Sequence, residues 1–249
     1  MSARNISEEK ARQYHDEGYM IIEDFFTPAE VDLLRSACED AIADMDKRID
    51  EGDPTVAPIN HKGKRYFLPH VYRKHERMKD IIFGEKMAEV VRKTIGDTAY
   101  LFLDQYVVKA ADHGMQFSWH QDAGYIKHKK VKPYLTCWIA LDDMTEKNGT
   151  VYILPFSQAG SKELRDHEQD PELGDQVGYK GDEQGIPAVV PAGTLVAFTS
   201  HTFHRSSSNQ SNMMRRAYLI QYSTEVITRE DGVTYLDDRQ FLQDGEIVA

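Results

Sequence analysis

The segment Ser118-Trp119-His120-Gln121-Asp122-Ala123-Gly124-Tyr125 carries the most suggestive chemistry in the chain. On extended backbone, residues two apart project to the same side, so a His-x-Asp pair at a strand end aims an imidazole and a carboxylate at one point. With one further histidine they would complete a 2-His-1-carboxylate iron site, which leaves coordination positions open for oxygen and a chelating cosubstrate. The pair alone says little. Ten histidines and 41 acidic residues among 249 give about 1.6 His-x-Asp/Glu matches by chance, and the chain shows two. The other, His15-Asp16-Glu17, falls on an amphipathic helical stretch, where positions i and i+2 diverge by roughly 200°, and reads as solvated surface.

A second segment supplies the missing parts. It runs Gly193 to Phe198, then His201-Thr202-Phe203-His204-Arg205-Ser206, then Asn209-Gln210-Ser211 and Arg215-Arg216. A histidine here leaves a strand, and on spacing alone both His201 and His204 remain open as the third ligand. Arg215 begins the next strand. An arginine at that place can take the far carboxylate of 2-oxoglutarate in a bidentate, charge-assisted pair, while the metal takes the other end of the same molecule. Alternation turns Arg216 to the opposite face.

The elements that must position these groups change character along the chain. Ser7-Glu8-Glu9 opens a polar amphipathic helix, and Tyr19 to Ile22 is a short β-rich run. Thr27-Pro28-Ala29-Glu30 is a capping box with proline at the first helical position. Val31, Leu34, Cys38, Ala41, Ile42 and Met45 follow at helical spacing, before the pattern dissolves into the charged stretch Asp44 to Asp53. Residues 54–80 read as irregular and basic, and Glu85 to Ile95 as a second amphipathic helix stopped by Gly96. Beyond it, Tyr100–Val108, Tyr134–Leu141, Val151–Leu154, Ala188–Val190, Thr194–Thr199 and Arg216–Thr224 read as strands separated by turn residues. A run of strands after a run of helices predicts a helical scaffold packed on an antiparallel barrel or sandwich. The polar, acidic stretch 161–186 is too long for a hairpin loop and reads as an insertion or lid. With no repeat and no linker, residues 1–249 are expected to form a single domain: helical scaffold to about 97, β core from about 98.

These motifs, in this order, resemble the phytanoyl-CoA dioxygenase family of Fe(II)/2-oxoglutarate-dependent oxygenases. The resemblance covers most of the chain. It starts at Asp16-Glu17-Gly18-Tyr19 and Phe25 to Val31, continues through Trp119-His120-Gln121-Asp122 and Trp138 with Asn148-Gly149, and ends at His204-x-Ser206-x-x-Asn209 with Arg215. It implies a mainly β fold, a double-stranded β-helix (jelly roll, cupin-like) with N-terminal helices. It implies Fe(II) held by His120, Asp122 and His204, and 2-oxoglutarate contacted by Arg215, Ser206, Trp138 and Gln105, with O2 consumed and succinate and CO2 released. The chain departs from the family at Pro155-Phe156-Ser157-Gln158, where a Pro-Gly-Ser-His turn is common, so a substrate role for that histidine has no counterpart. Glu246-Ile247-Val248-Ala249 is not a peroxisomal address, and a phytanoyl-CoA substrate is not expected.

Composition bounds the rest. Hydrophobic residues at 41% can build a sizeable core, and the net charge of −11 argues against nucleic-acid binding. No apolar run is long enough to span a membrane, Met1 to Asn5 lead into charged residues so that secretion is not expected, and Cys38 and Cys137 read as buried thiols in a reducing, cytoplasmic compartment. The expected function is hydroxylation of a small organic substrate. A same-fold halogenase is disfavoured because Asp122 fills the halide's place. A desaturase or epimerase, a zinc hydrolase and a metal-binding barrel without oxygenase activity are the other readings. The basic runs His61–Lys79 and Lys127–Lys132 are either solvated loops or a positive mouth for an anionic substrate, with Lys62, Lys64, Arg65, Arg73, Lys127, Lys129 and Lys130 as its groups.

Overall fold

The computed structural model describes residues 6–111, 116–126, 131–170 and 175–249. Lys127, Lys129 and Lys130 lie outside the described residues. In chain order the helices are α1 (Glu8–Glu17), α2 (Pro28–Asp50), α3 (Lys79–Ile82), α4 (Glu85–Thr94) and α5 (Phe156–Ala159). The strands are β1 (Tyr19–Ile22), β2 (Arg65–Pro69), β3 (Ala99–Lys109), β4 (Phe117–His120), β5 (Leu135–Ala140), β6 (Val151–Leu154) and β7 (Glu168–Gln169). They continue with β8 (Gln176–Val177), β9 (Ile186–Pro187), β10 (Leu195–Thr199), β11 (Phe203–Ser206), β12 (Arg215–Ser223), β13 (Gln240–Gln243) and β14 (Glu246–Ile247).

Three local expectations need correction. The capping box forms at Thr27 and Glu30, but α2 runs to Asp50 instead of dissolving near Asp44. Its charged tail stays helical because its acids have partners: Asp44 pairs with Lys74 (2.9 Å), Asp46 accepts from the Tyr66 hydroxyl (2.7 Å) and Asp50 pairs with Lys62 (2.5 Å). The segment expected to be irregular holds β2, paired with β3 from Arg65↔Lys109 to Pro69↔Gln105. A buried arginine on the inward face hid its alternation. Ala188–Val190 is no ladder strand; the pairing with β6 is made by Ile186 and Pro187. Prolines at 187 and 191 lack the N–H that a regular ladder needs on both sides of this segment.

Two sheets face each other. The larger runs β1-β10-β5-β12-β3-β13-β14, with β2 also on β3, and the smaller runs β4-β11-β6-β9. All their pairings are antiparallel. Period-two alternation gives the large sheet two apolar faces. On β5, Leu135, Cys137 and Ile139 join the core under α2 and α4, whereas Trp138 and Ala140 join the core between the sheets. The helices are bound to the outer face by polar contacts as well: the Arg35 Nε donates to the Leu141 carbonyl (2.7 Å) and the Tyr106 hydroxyl to the Leu34 carbonyl (2.8 Å). This backing holds the strands whose inner faces carry the candidate site.

One buried acid on the outer face makes stability depend on pH. Asp104 is fully buried; its Oδ2 accepts from the Tyr72 amide (3.2 Å) and the Tyr218 hydroxyl (3.0 Å), and its Oδ1 has no hydrogen bond and lies 4.0 Å from the His70 Nδ1. Burial raises its carboxyl to about 6. The folded protein therefore keeps this proton over a range where the unfolded chain, near 4, has lost it, so stability falls as pH rises from about 4 through 6. Asp104→Asn should remove that dependence and gain about 2–3 kcal/mol on the wild type between pH 4 and pH 8. Denaturant unfolding of both proteins at the two pH values checks it; parallel losses would mean that Asp104 ionises normally.

Candidate metal and cosubstrate site

His120 ends β4 and His204 sits in β11, and the register places them directly opposite each other. Their ring centroids are 4.2 Å apart, and the Tyr125 ring meets His120 edge-on at 5.3 Å. Asp122 opens the turn after β4. One ligand atom from each of His120, Asp122 and His204 lies within 4.8 Å of the other two, with the His204 Nε2 3.4 Å from the Asp122 Oδ1. The fold thus converges three donors from two strands about 80 residues apart.

Each donor is held by its far side. The Nδ1 of His120 faces the Ser118 carbonyl (2.7 Å) and that of His204 the Thr202 carbonyl (3.1 Å). A carbonyl only accepts, so both Nδ1 atoms carry the proton and both Nε2 lone pairs point to the shared centre. The Asp122 Oδ2 accepts from the Thr136 hydroxyl (2.6 Å) and the Gln221 amide (2.9 Å), leaving Oδ1 for the centre. Burial, with His204 beside it, pushes His120 down to about 3, so it is a neutral imidazole. Burial works to raise Asp122, but attraction to His204 and its hydrogen bonds hold it near 2, as a carboxylate. Two imidazoles and a carboxylate with one uncommitted oxygen are a donor set suited to Fe(II).

Arg215 lines the same cavity as these donors, and Lys109 is buried beside it. Arg215 is 2% exposed at the start of β12, directly across from Lys109 on β3, which is fully buried. Arg215 donates to the carbonyls of Gly149 (2.8 Å) and Val107 (3.4 Å), its Nε has no partner, and its guanidinium lies 6.0 Å from the Trp138 ring centre. Lys109 donates to the Ser206 hydroxyl (2.7 Å) and the Ser207 carbonyl (2.5 Å). Burial lowers both groups, Arg215 to about 10, and the Arg215 and Arg65 charges lower Lys109 further. Among the described residues no ion pair within 4 Å reaches either of them. An orphaned, buried guanidinium N–H beside an unpaired ammonium fits a carboxylate. Gly149, whose carbonyl accepts from Arg215, packs against the 207–208 backbone: its φ is +77°, and a Cβ there would come within 2.4 Å of the Ser207 carbonyl.

The cavity has a volume of about 390 Å³. Its walls include His120, Asp122 and His204, and also Gln105, Trp138, Ser206 and Arg215, so all seven residues singled out from the sequence border one space. Register explains the last group: Leu219 pairs with both Trp138 and Gln105, forming one inward row across three strands. His201 turns away, its Nδ1 facing the Lys162 carbonyl at 3.2 Å. Arg216 also points outward, to Asp142 (2.7 Å) and Glu39 (3.1 Å). His15 lies on α1 against the Lys93 carbonyl.

Most of the described basic groups expected at a positive mouth are committed elsewhere. Lys62, Arg73, Lys74, Lys79 and Lys132 are ion-paired with Asp50, Asp237, Asp44, Glu76 and Glu225. Arg65 is buried, bonded to the Ile59 carbonyl and lying over Phe67 and Phe117. For the run 61–79, Asp50, Asp237 and Asp44 come from distant segments, whereas Glu76 pairs locally with Lys79.

Sequence reasoning missed Lys109, Thr136 and Gln221. The signal was present as parity: Lys109 follows Gln105 by four, Thr136 precedes Trp138 by two and Gln221 follows Arg215 by six, so each shares the inward face. A polar side chain at an inward position of an apolar strand is the mark that could have found them.

A cavity with a metal-ready cluster and an unpaired guanidinium in its walls, enclosed by a jelly roll, defines the non-haem iron oxygenases that consume 2-oxoglutarate. Within that class the chain belongs to the phytanoyl-CoA dioxygenase family, whose profile matches residues 14–217. It is 27% identical to a probable alpha-ketoglutarate-dependent hypophosphite dioxygenase of Stutzerimonas stutzeri, over 86% of this chain and 78% of that protein. It is 24% identical to the ectoine dioxygenase of Bordetella bronchiseptica, over 88% of this chain and 76% of that one. Among solved structures, it resembles the alpha-ketoglutarate-dependent carbocyclase SnoK of nogalamycin biosynthesis, with TM-score 0.71, 21% identity and coverage of 96% and 95%. EctD from S. alaskensis, with 2-oxoglutarate and 5-hydroxyectoine, superposes with TM-score 0.69 at 17% identity, covering 96% of this chain and 86% of that one. The protein is an iron- and 2-oxoglutarate-dependent oxygenase.

Proposed function

We propose that the protein hydroxylates a small organic molecule, with Fe(II) held by His120, Asp122 and His204 and 2-oxoglutarate seated toward Arg215, Lys109 and Ser206. The observation that carries this reading is the unpaired, buried Arg215 in the same cavity as the three converging donors. A hydrolytic use of those donors leaves two buried cations without a task, and a halogenase needs the place that Asp122 fills.

Bound Fe(II) and 2-oxoglutarate supply the oxidising chemistry, in which one oxygen atom of O2 ends in succinate and the other in the product as CO2 leaves. The protein's own groups orient and enclose. Arg215 and Lys109 neutralise the distal carboxylate, with Trp138, Gln105 and Leu219 flanking the cosubstrate's chain. Phe67, Phe102, Phe117, Tyr125, Tyr235 and Leu236 form the outer wall and exclude water from the reacting end. Asp175 and Arg205 are the charged groups among the described residues of that wall. This lining supports a substrate with a mainly apolar contact surface, small enough to share about 390 Å³ with 2-oxoglutarate. A reducing, cytoplasmic setting belongs to the same reading, since Cys38 and Cys137 are buried and unpaired.

A screen of small metabolites for stimulated, Fe(II)-dependent succinate release tests the proposal. The expected hit carries no obligatory negative charge, and its KM does not respond to salt. Stimulation by anions alone, weakening steeply as salt rises, would overturn the substrate class. Hydrolysis with zinc and no 2-oxoglutarate consumption would overturn the reaction.

A further inference from the structure

The polar stretch 161–186 reads from the sequence as an insertion or lid, and its first part is bonded to the residue that lies between two of the candidate ligands. Alternation points Gln121 away from the cavity while His120 and Asp122 point in. Gln121 is 1% exposed, and each polar group of its side chain is used. Its Nε2 donates to the carbonyls of Glu163 (2.9 Å) and His201 (2.6 Å), and its Oε1 accepts from the Arg165 amide (2.8 Å). Its backbone N–H donates to the His167 Nε2 at 2.9 Å.

His167 is fixed in turn. Its Nδ1 faces the Arg165 carbonyl at 2.9 Å, so Nδ1 carries the proton and Nε2 is the acceptor. The ring fills the space between two glycines whose φ values are not positive, so room and not backbone conformation excludes a side chain there. A Cβ on Gly124, in the turn just after Asp122, would lie 2.4 Å from the ring, and one on Gly178 would lie 2.5 Å away. The Gly178 amide donates to the Trp119 carbonyl (2.9 Å), which closes the ring of contacts around β4.

We infer that residues 161–169 are a clamp on the metal-binding motif, with His167 and Gln121 as its positioning residues. The inference rests on His120, Asp122 and His204 being the metal ligands. Without the clamp, the Ser118 carbonyl still orients His120, and Thr136 and Gln221 still orient Asp122. The backbone between the two ligands, however, loses its outer support. Groups of this kind, which hold ligands without touching metal, change metal affinity by about 10–100-fold when removed.

The test measures anaerobic Fe(II) binding by chelator competition, with no 2-oxoglutarate or substrate, alongside thermal unfolding. His167→Ala should weaken Fe(II) by about 10-fold or more. His167→Gln should stay within about threefold of wild type, because its Oε1 reaches close to the position of the imidazole Nε2 and accepts from the same amide. Gln121→Glu should weaken Fe(II) as His167→Ala does, since a carboxylate would face two carbonyls. In metal-free His167→Ala, limited proteolysis should open the stretch 161–169. Wild-type affinity in folded His167→Ala and Gln121→Glu would overturn the clamp. Equal weakening in all three variants, in step with lost thermal stability, would also overturn it, as general destabilisation. Neither result bears on the metabolite screen, whose failure would leave this binding experiment unchanged.

Discussion

Replacing His204 or Asp122 by alanine should reduce Fe(II) affinity by more than about 100-fold and abolish 2-oxoglutarate turnover, while His201→Ala keeps most of both. The two histidines are three residues apart and equally buried, yet they serve different ends. The Nε2 of His204 is 3.4 Å from the Asp122 carboxylate, whereas His201 faces the Lys162 carbonyl. Loss of a direct ligand exceeds the effect of losing a group that merely orients one, which sets the lower bound. The variants should remain folded, because the core between the sheets is built by Trp138, Val151, Ile153 and Phe198 and not by the triad. Equilibrium Fe(II) binding under anaerobic conditions, with circular dichroism as the folding control, checks both halves. Unchanged affinity in the His204 and Asp122 variants would displace the metal site, and loss in His201→Ala alone would move the third ligand there.

Arg215→Lys is expected to weaken 2-oxoglutarate by about 10-fold or more, against little change for Arg216→Lys. The charge survives the change, but the planar fork does not, and a shorter-reaching ammonium at this place would sit beside Lys109. Arg216 offers the internal control. It holds Asp142 through two nitrogens on the opposite face, so its replacement should cost stability and leave cosubstrate affinity alone. Titration of 2-oxoglutarate against turnover and against direct binding separates the two. Equal effects at both positions, or none at either, would place the carboxylate elsewhere.

How the site could be read from the chain, and where reading stopped, follows from what is local. The strands of the core were visible because β-branched and aromatic residues gather in short runs bounded by turn residues, as in Leu195–Thr199 and Arg215–Ser223. The His-x-Asp pair was visible because it too is local, two residues apart in one segment. Strand β2 was not, because Arg65 occupies an inward position that an apolar residue usually fills. The extent of α2 was not, because Lys62, Tyr66 and Lys74 supply partners for its acids from outside the helix.

By itself the sequence determined where most of the core strands lie, the helical scaffold that must back them, and the candidate groups for binding iron and a dicarboxylate. Those properties depend on neighbours a few residues away. Only the tertiary structure showed that β4 lies against β11, which sets His204, the ligand that the family resemblance implies, opposite His120. It alone set Lys109 across from Arg215, supplied Thr136 and Gln221 to the free side of Asp122, and turned the basic loop outward into ion pairs. The physical reason is register. A one-residue slip between strands roughly a hundred positions apart reverses which side chains meet, and no periodicity within either strand encodes that alignment.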